Sequence, residues 1–111
     1  MEIGFSSAKF AKLCMDPSIR ARKLGKERAR KLLLRLDQLS AAENLAKFHE
    51  LPQARCHQLS ADRDEQFSCD LDGPYRLIFE IAHDPPPRKP DGGFDLHAVT
   101  RIALVDIVDT H

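Results

Sequence analysis

The run from Gln66 to Ile81, QFSCDLDGPYRLIFEI, limits what this chain can fold into more than any other segment. Phe67, Cys69 and Leu71 alternate with Gln66, Ser68 and Asp70; after the break, Tyr75, Leu77, Phe79 and Ile81 alternate with Arg76, Ile78 and Glu80. A period of two means that each half is a strand with one apolar face, and the short break between them makes an antiparallel hairpin. Asp72-Gly73 predicts a two-residue turn, because both central residues then need positive φ, which glycine takes freely and aspartate tolerates. Pro74 would begin the second strand, where no ladder N–H is required. Arg76 should therefore project away from Leu77 and Phe79, either as a solvated strand residue or as a group with a task.

At 111 residues the chain is long enough for one core and too short for two, so residues 1–111 are read as a single domain. It contains no run of about 18 apolar residues, and hence no expected membrane span. The start, MEIGFSSAKF, has an acid at position 2 and no apolar stretch, unlike a secretory signal. Cys14, Cys56 and Cys69 are odd in number and lack Cys-x-x-Cys spacing, which argues against a disulfide framework and a zinc site. Reduced structural thiols in a cytoplasmic protein are expected, with Cys69 in the core and no metal or cofactor.

Ahead of the hairpin the pattern is helical. Met1–Phe5 can form a short strand, and Ser6 or Ser7 can cap a helix through Ala8–Cys14. Asp16-Pro17 is a second helix start, with aspartate as N-cap and proline at the first helical position, and Gly25 is its natural stop. From Lys26 to Leu39, the residues Ala29, Leu32, Leu33, Leu36 and Leu39 make an apolar stripe opposite Arg28, Lys31 and Arg35. Ser40-Ala41-Ala42-Glu43 has the form of a capping box and predicts a further helical turn toward Phe48, ended by Leu51-Pro52. Beyond Ala54 the period changes to two, with strands near 54–59, 65–71, 75–82 and 99–108. Residues 83–97, with four prolines and two glycines in fifteen positions, are expected to be an irregular loop. The class is therefore α+β: an N-terminal short strand and helices packed on a mostly antiparallel sheet of four to five strands.

Net charge is zero, but residues 1–50 carry 11 Lys+Arg against 6 Asp+Glu and residues 51–111 carry 6 against 11. Arg20, Arg22, Lys23, Lys26, Arg28, Arg30, Lys31 and Arg35 face a single acid, Glu27, between positions 20 and 35. Such a stripe attracts a polyphosphate by releasing its condensed counterions, although a solvated helix face would carry the same charges. RNA scission without metal uses the ribose 2′-hydroxyl as nucleophile. The protein then needs an acid/base pair and a cation for the phosphate. Asp109 and His111, two apart on a strand, share a face, and a carboxylate there can orient an imidazole. His57 shares its strand face with Arg55 and Leu59.

With ARCHQL, the QFSCDLDGPYRLIFE hairpin and the closing IVDTH in this order, the chain resembles the RelE/ParE superfamily of toxins from bacterial toxin–antitoxin pairs, in particular its HigB-type branch. The resemblance implies a ribosome-dependent mRNA endonuclease that needs no cofactor. It also implies a cognate helix-turn-helix antitoxin as partner, with operator DNA reached only through that antitoxin. On this basis Arg76 would stabilise the scissile phosphate, Asp109 and His111 would take part in proton transfer, and His57 would contact or protonate the substrate. The basic stripe, with Arg55 and Arg63, would meet ribosome and messenger. Two positions depart from the pattern: Thr110 stands where relatives have a tyrosine, and Ser60–Glu65 is acidic where they are rich in glycine and lysine. The gyrase-binding ParE branch, and a catalytically decayed antitoxin-binding module, are the alternatives the same resemblance allows.

Overall fold

The computed structural model describes every residue except Ala61, Asp62, Asp64 and His111. Strand β1 (Glu2–Phe5) is followed by helices α1 (Ala8–Met15), α2 (Pro17–Leu24), α3 (Lys26–Ala41) and α4 (Leu45–His49). Then come β2 (His57–Gln58), β3 (Gln66–Asp70), β4 (Tyr75–Ile81), a single 3₁₀ turn at Leu96–Ala98, and β5 (Arg101–Asp109). The five strands form one sheet in the order β1-β5-β4-β3-β2, parallel at β1–β5 and antiparallel elsewhere. The architecture is the expected α+β arrangement. Among the described residues, no helix is long and apolar enough to cross a membrane.

Local chemistry explains the helix boundaries. Ser7 caps α1 by accepting the Phe10 N–H at 3.1 Å, and Asp16 caps α2 by accepting from Ser18 and Ile19 with Pro17 at the first helical position. Gly25 separates α2 from α3 at φ +80, in the left-handed region that a residue with a Cβ rarely adopts. The capping box at Ser40 does not form. Helix α3 runs through Ser40 to Ala41, and α4 is instead capped by Asn44, whose side chain accepts the Lys47 N–H at 2.9 Å. The segment expected as a strand at 54–59 is reduced to His57–Gln58, because residues 52–55 make a turn.

One face of the sheet carries the core. Phe67, Cys69, Leu77, Phe79, Ile102 and Leu104 join Phe10, Cys14, Leu32, Leu39, Leu45 and Phe48 of the helices in a single buried cluster. Phe67 stacks on Phe79 with centroids 5.7 Å apart, and Phe48 meets Phe79 edge-on at 6.2 Å. The Pro/Gly-rich loop returns Phe94 to this core, where it is held by the Arg88–Phe94 bridge and packs on Phe67, and Leu96 packs against the same cluster.

Two further expectations fail in informative ways. Leu33 is 40% exposed whereas Arg35 is 3% exposed, so the buried row of α3 is Ala29, Leu32, Arg35 and Leu39. The hairpin loop has three residues rather than two. Leu71 pairs with Tyr75, and the Tyr75 N–H donates to the Asp72 carbonyl at 2.9 Å, which centres the turn on Gly73 (φ +52) and Pro74.

Candidate functional site

The hairpin register determines which side chains meet on the sheet face away from the helices. Asp70 lies opposite Arg76, Ser68 opposite Ile78, and Gln66 opposite Glu80, while His57 of β2 lies opposite Ser68. Because side chains alternate between faces, these residues share one face, and the core residues Phe67, Cys69, Leu77 and Phe79 share the other. Three cross-strand contacts on this face are polar. Gln66 Nε2 donates to Glu80 at 3.3 Å, Ser68 Oγ is 3.4 Å from His57 Nε2, and Arg76 Nε is 3.0 Å from Asp70 Oδ1.

Asp70 is the centre of this face. Its Oδ2 is 3.6 Å from Arg55 Nη1, so two guanidinium groups from separate elements converge on one carboxylate. Arg76 is further fixed by Nη1, which donates to the carbonyls of Gly73 (2.9 Å) and Tyr75 (3.0 Å). Arg55 is held more loosely: its side chain is 72% exposed, against 21% for Arg76 and 18% for Asp70. Its backbone sits at φ +47, a left-handed conformation costly for a residue with a Cβ, and its carbonyl is 3.2 Å from His57 Nδ1.

Arg35 supports this cluster from the helix side. Its Nε donates to the Asp70 carbonyl at 2.7 Å, Nη2 to the Gln53 carbonyl at 2.9 Å, and Nη1 to Gln38 Oε1 at 3.0 Å. One buried guanidinium thus joins α3 to the end of β3 and to the turn that carries Arg55. The turn is also joined to β3 directly, through the Asp70 N–H and the Ala54 carbonyl at 2.7 Å.

The proposed catalytic residues do not all gather here. Arg76 and His57 share the polar face. Asp109 pairs in register with Tyr75, so alternation directs it to the helix-side face, and the β5 residue beside Arg76 is Val108. The β5 carboxylate on the polar face is Asp106, opposite Ile78. Thr110 is fixed by its N–H and its hydroxyl, both donating to the Pro74 carbonyl at 2.9 and 2.7 Å. His111 lies outside the described residues. Sequence reasoning missed Asp70, Ser68 and Asp106, although the alternation of Gln66, Ser68 and Asp70 with Phe67 and Cys69 was a signal for the first two.

The basic stripe is dispersed in the same way. Arg35 is buried, Arg20 donates to the Cys14 carbonyl at 2.8 Å, and Arg30 is paired with Glu27. Arg28 is ion-paired with Asp72 at 3.0 Å and lies over the Tyr75 ring, 3.3 Å from its centroid. Lys31 is half-buried, which leaves Arg22, Lys23 and Lys26 exposed at the α2–α3 corner. Arg63, exposed, donates to Gln66 at 2.9 Å.

Cysteine chemistry is disfavoured. Burial pushes the thiols of Cys14 and Cys69 up to about 12 and that of Cys56 higher still, so almost no thiolate forms near neutral pH. Among the described residues, no group of three or more His, Cys, Asp or Glu side chains gathers where a metal ion could be held. Compared with known proteins, the chain matches no family profile and no curated sequence.

Proposed function

We propose that the chain is a toxin of the RelE/ParE kind, HigB-like, which acts in the cytoplasm by cutting messenger RNA on the ribosome and is held inactive by a helix-turn-helix antitoxin. One observation supports the proposal: Arg55 and Arg76 converge on Asp70, with His57 on the same sheet face, the one away from the helix-packed core. Guanidinium forks match the oxygens of a phosphodiester, and imidazole is the side chain whose charge changes most readily near neutral pH. On this face Arg76 would stabilise charge on the scissile phosphate, and Arg55 would bind the same or the next phosphate. His57 would carry a proton to or from the reacting oxygens; Asp109 and His111, the latter outside the described residues, are the further candidates for proton transfer. The Arg76–Asp70 pair is no obstacle, since a partly exposed ion pair contributes only about 0–1 kcal/mol.

Expression from a tightly controlled promoter, followed by mapping of messenger 5′ ends, tests the proposal. Growth arrest with new cuts at in-frame positions is expected, and Arg76→Ala should lower cleavage about a hundredfold or more. Growth arrest without new 5′ ends would exclude RNA cleavage.

The pairing of Asp109 with Tyr75, on the sheet face away from Arg76, favours a second reading, in which the protein acts by binding alone, as in the gyrase-directed branch or a decayed antitoxin-binding module. In that case His111→Ala and His57→Ala would leave toxicity unchanged. Harmless overexpression together with tight antitoxin binding would select the decayed module.

A further inference from the structure

Building on the site proposed above, we infer that Asp70 gates an anion site: in the free protein its carboxylate takes the place of a phosphodiester between Arg76 and Arg55, and single-stranded RNA must displace it to bind. The geometry is that of an occupied anion site. One oxygen of Asp70 accepts from Arg76 Nε at 3.0 Å, and the other faces Arg55 Nη1 at 3.6 Å. Carboxylate and phosphate present the same paired acceptor oxygens to a guanidinium, so the donors now directed at Asp70 are those a phosphate would use. Arg76 cannot turn elsewhere freely, because its Nη1 is spent on the carbonyls of Gly73 and Tyr75. Arg55, 72% exposed and beyond hydrogen-bond distance, is the arm able to swing toward a ligand.

The charge balance gives the gate its meaning. Two guanidinium groups facing one carboxylate leave a single net positive charge, too little to hold an isolated monoanion against salt. A strand that reaches further cations, such as the exposed Lys26 corner, gains from several contacts at once. Asp70 therefore selects for polymeric phosphate. Its backbone anchors, the N–H to the Ala54 carbonyl and the carbonyl to Arg35, do not depend on the carboxylate, so Asp70→Asn should fold normally.

The experiment measures binding of a short fluorescent single-stranded oligoribonucleotide to the full chain across a salt series. It compares wild type with Asp70→Asn, Asp70→Ser, Arg55→Ala and Arg76→Ala, and with Asp70→Asn combined with Arg76→Ala. Asp70→Asn and Asp70→Ser should each bind about two- to fivefold tighter, the range a partly exposed ion pair represents. The slope of log affinity against log salt should steepen by about 0.7 for the charge gained. The gain should vanish in the double variant, because it acts through Arg76. Unchanged or weaker binding by both Asp70 variants, or a gain that survives Arg76→Ala, overturns the gate while leaving the site intact. RNA binding indifferent to both Arg55→Ala and Arg76→Ala overturns site and gate together.

Discussion

Arg35 shows how one residue can serve the site without touching a ligand. Its three donors satisfy two backbone carbonyls and Gln38 in a nearly dry environment, and those carbonyls belong to Asp70 and to the turn that bears Arg55. Arg35→Met leaves the carbonyls unsatisfied and should lower stability by about 2–3 kcal/mol in urea unfolding. Arg35→Lys should not restore it, since an ammonium cannot reproduce the planar fork. His49 offers a second test. Its Nε2 is buried and has no hydrogen-bond partner among the described residues, and its ring meets Phe67 edge-on at 6.0 Å. Burial, helped by the nearby His57, lowers its pKa from 6.5, so the unfolded chain takes up a proton more readily than the folded one. Stability should be full above about pH 6.5 and should fall as pH drops through that value toward the folded-state pKa. His49→Phe should flatten that part of the stability–pH profile; an unchanged slope would assign the effect to another group.

Among the elements, the hairpin shows which parts of the fold were readable from residues. Alternation identified β3 and β4 correctly and assigned Phe67, Cys69, Leu77 and Phe79 to the core. The expected two-residue turn conflicts with that same alternation, since it would have set Cys69 opposite Arg76. Pairing Cys69 with Leu77 requires a register one residue along, hence a loop of three. Taken seriously, the apolar pattern alone would have brought Asp70 to Arg76. The position of Asp109 follows the same rule of parity. The resemblance assigned Asp109 to proton transfer at the phosphate held by Arg76, whereas Asp109 pairs in register with Tyr75, and parity along the strands puts it on the other face from Arg76. On β5, Ile78 pairs with Asp106 and Phe79 with Leu104, so Val105 is an extra residue that no period-two pattern announces. In α3 the exchange of Leu33 for Arg35 was unreadable, because the acceptors that make an arginine acceptable inside come from distant segments. At the α2–α3 junction, Gly25→Ala should cost about 1–2 kcal/mol in thermal or urea unfolding, as open space surrounds the position and only the backbone conformation penalises the methyl group.

Over the whole molecule, the helices and the Pro/Gly-rich loop seal one face of a five-stranded sheet, and the other carries the polar cluster around Asp70 together with Ile78 and Val108. This division predicts that stability and function separate by face. Phe79→Ala, at the junction of Phe48 and Phe67, should cost about 3–5 kcal/mol and abolish activity only by unfolding the protein. Arg76→Ala, on the other face, should lower the unfolding free energy by about 1 kcal/mol or less, because the pair it breaks retains some solvent exposure. The α2–α3 corner, with Arg22, Lys23 and Lys26, would contribute long-range attraction rather than chemistry.

The most direct test is an NMR titration of the labelled protein with single-stranded RNA, following backbone amides together with the arginine Nε–H signals. The Arg76 Nε–H and the amides of residues 55–58, 66–70 and 106–108 should shift together and saturate at one RNA concentration. Shifts confined to the Arg22–Lys26 corner, with Arg76 and His57 unmoved, would contradict the assignment of the polar sheet face as the RNA site.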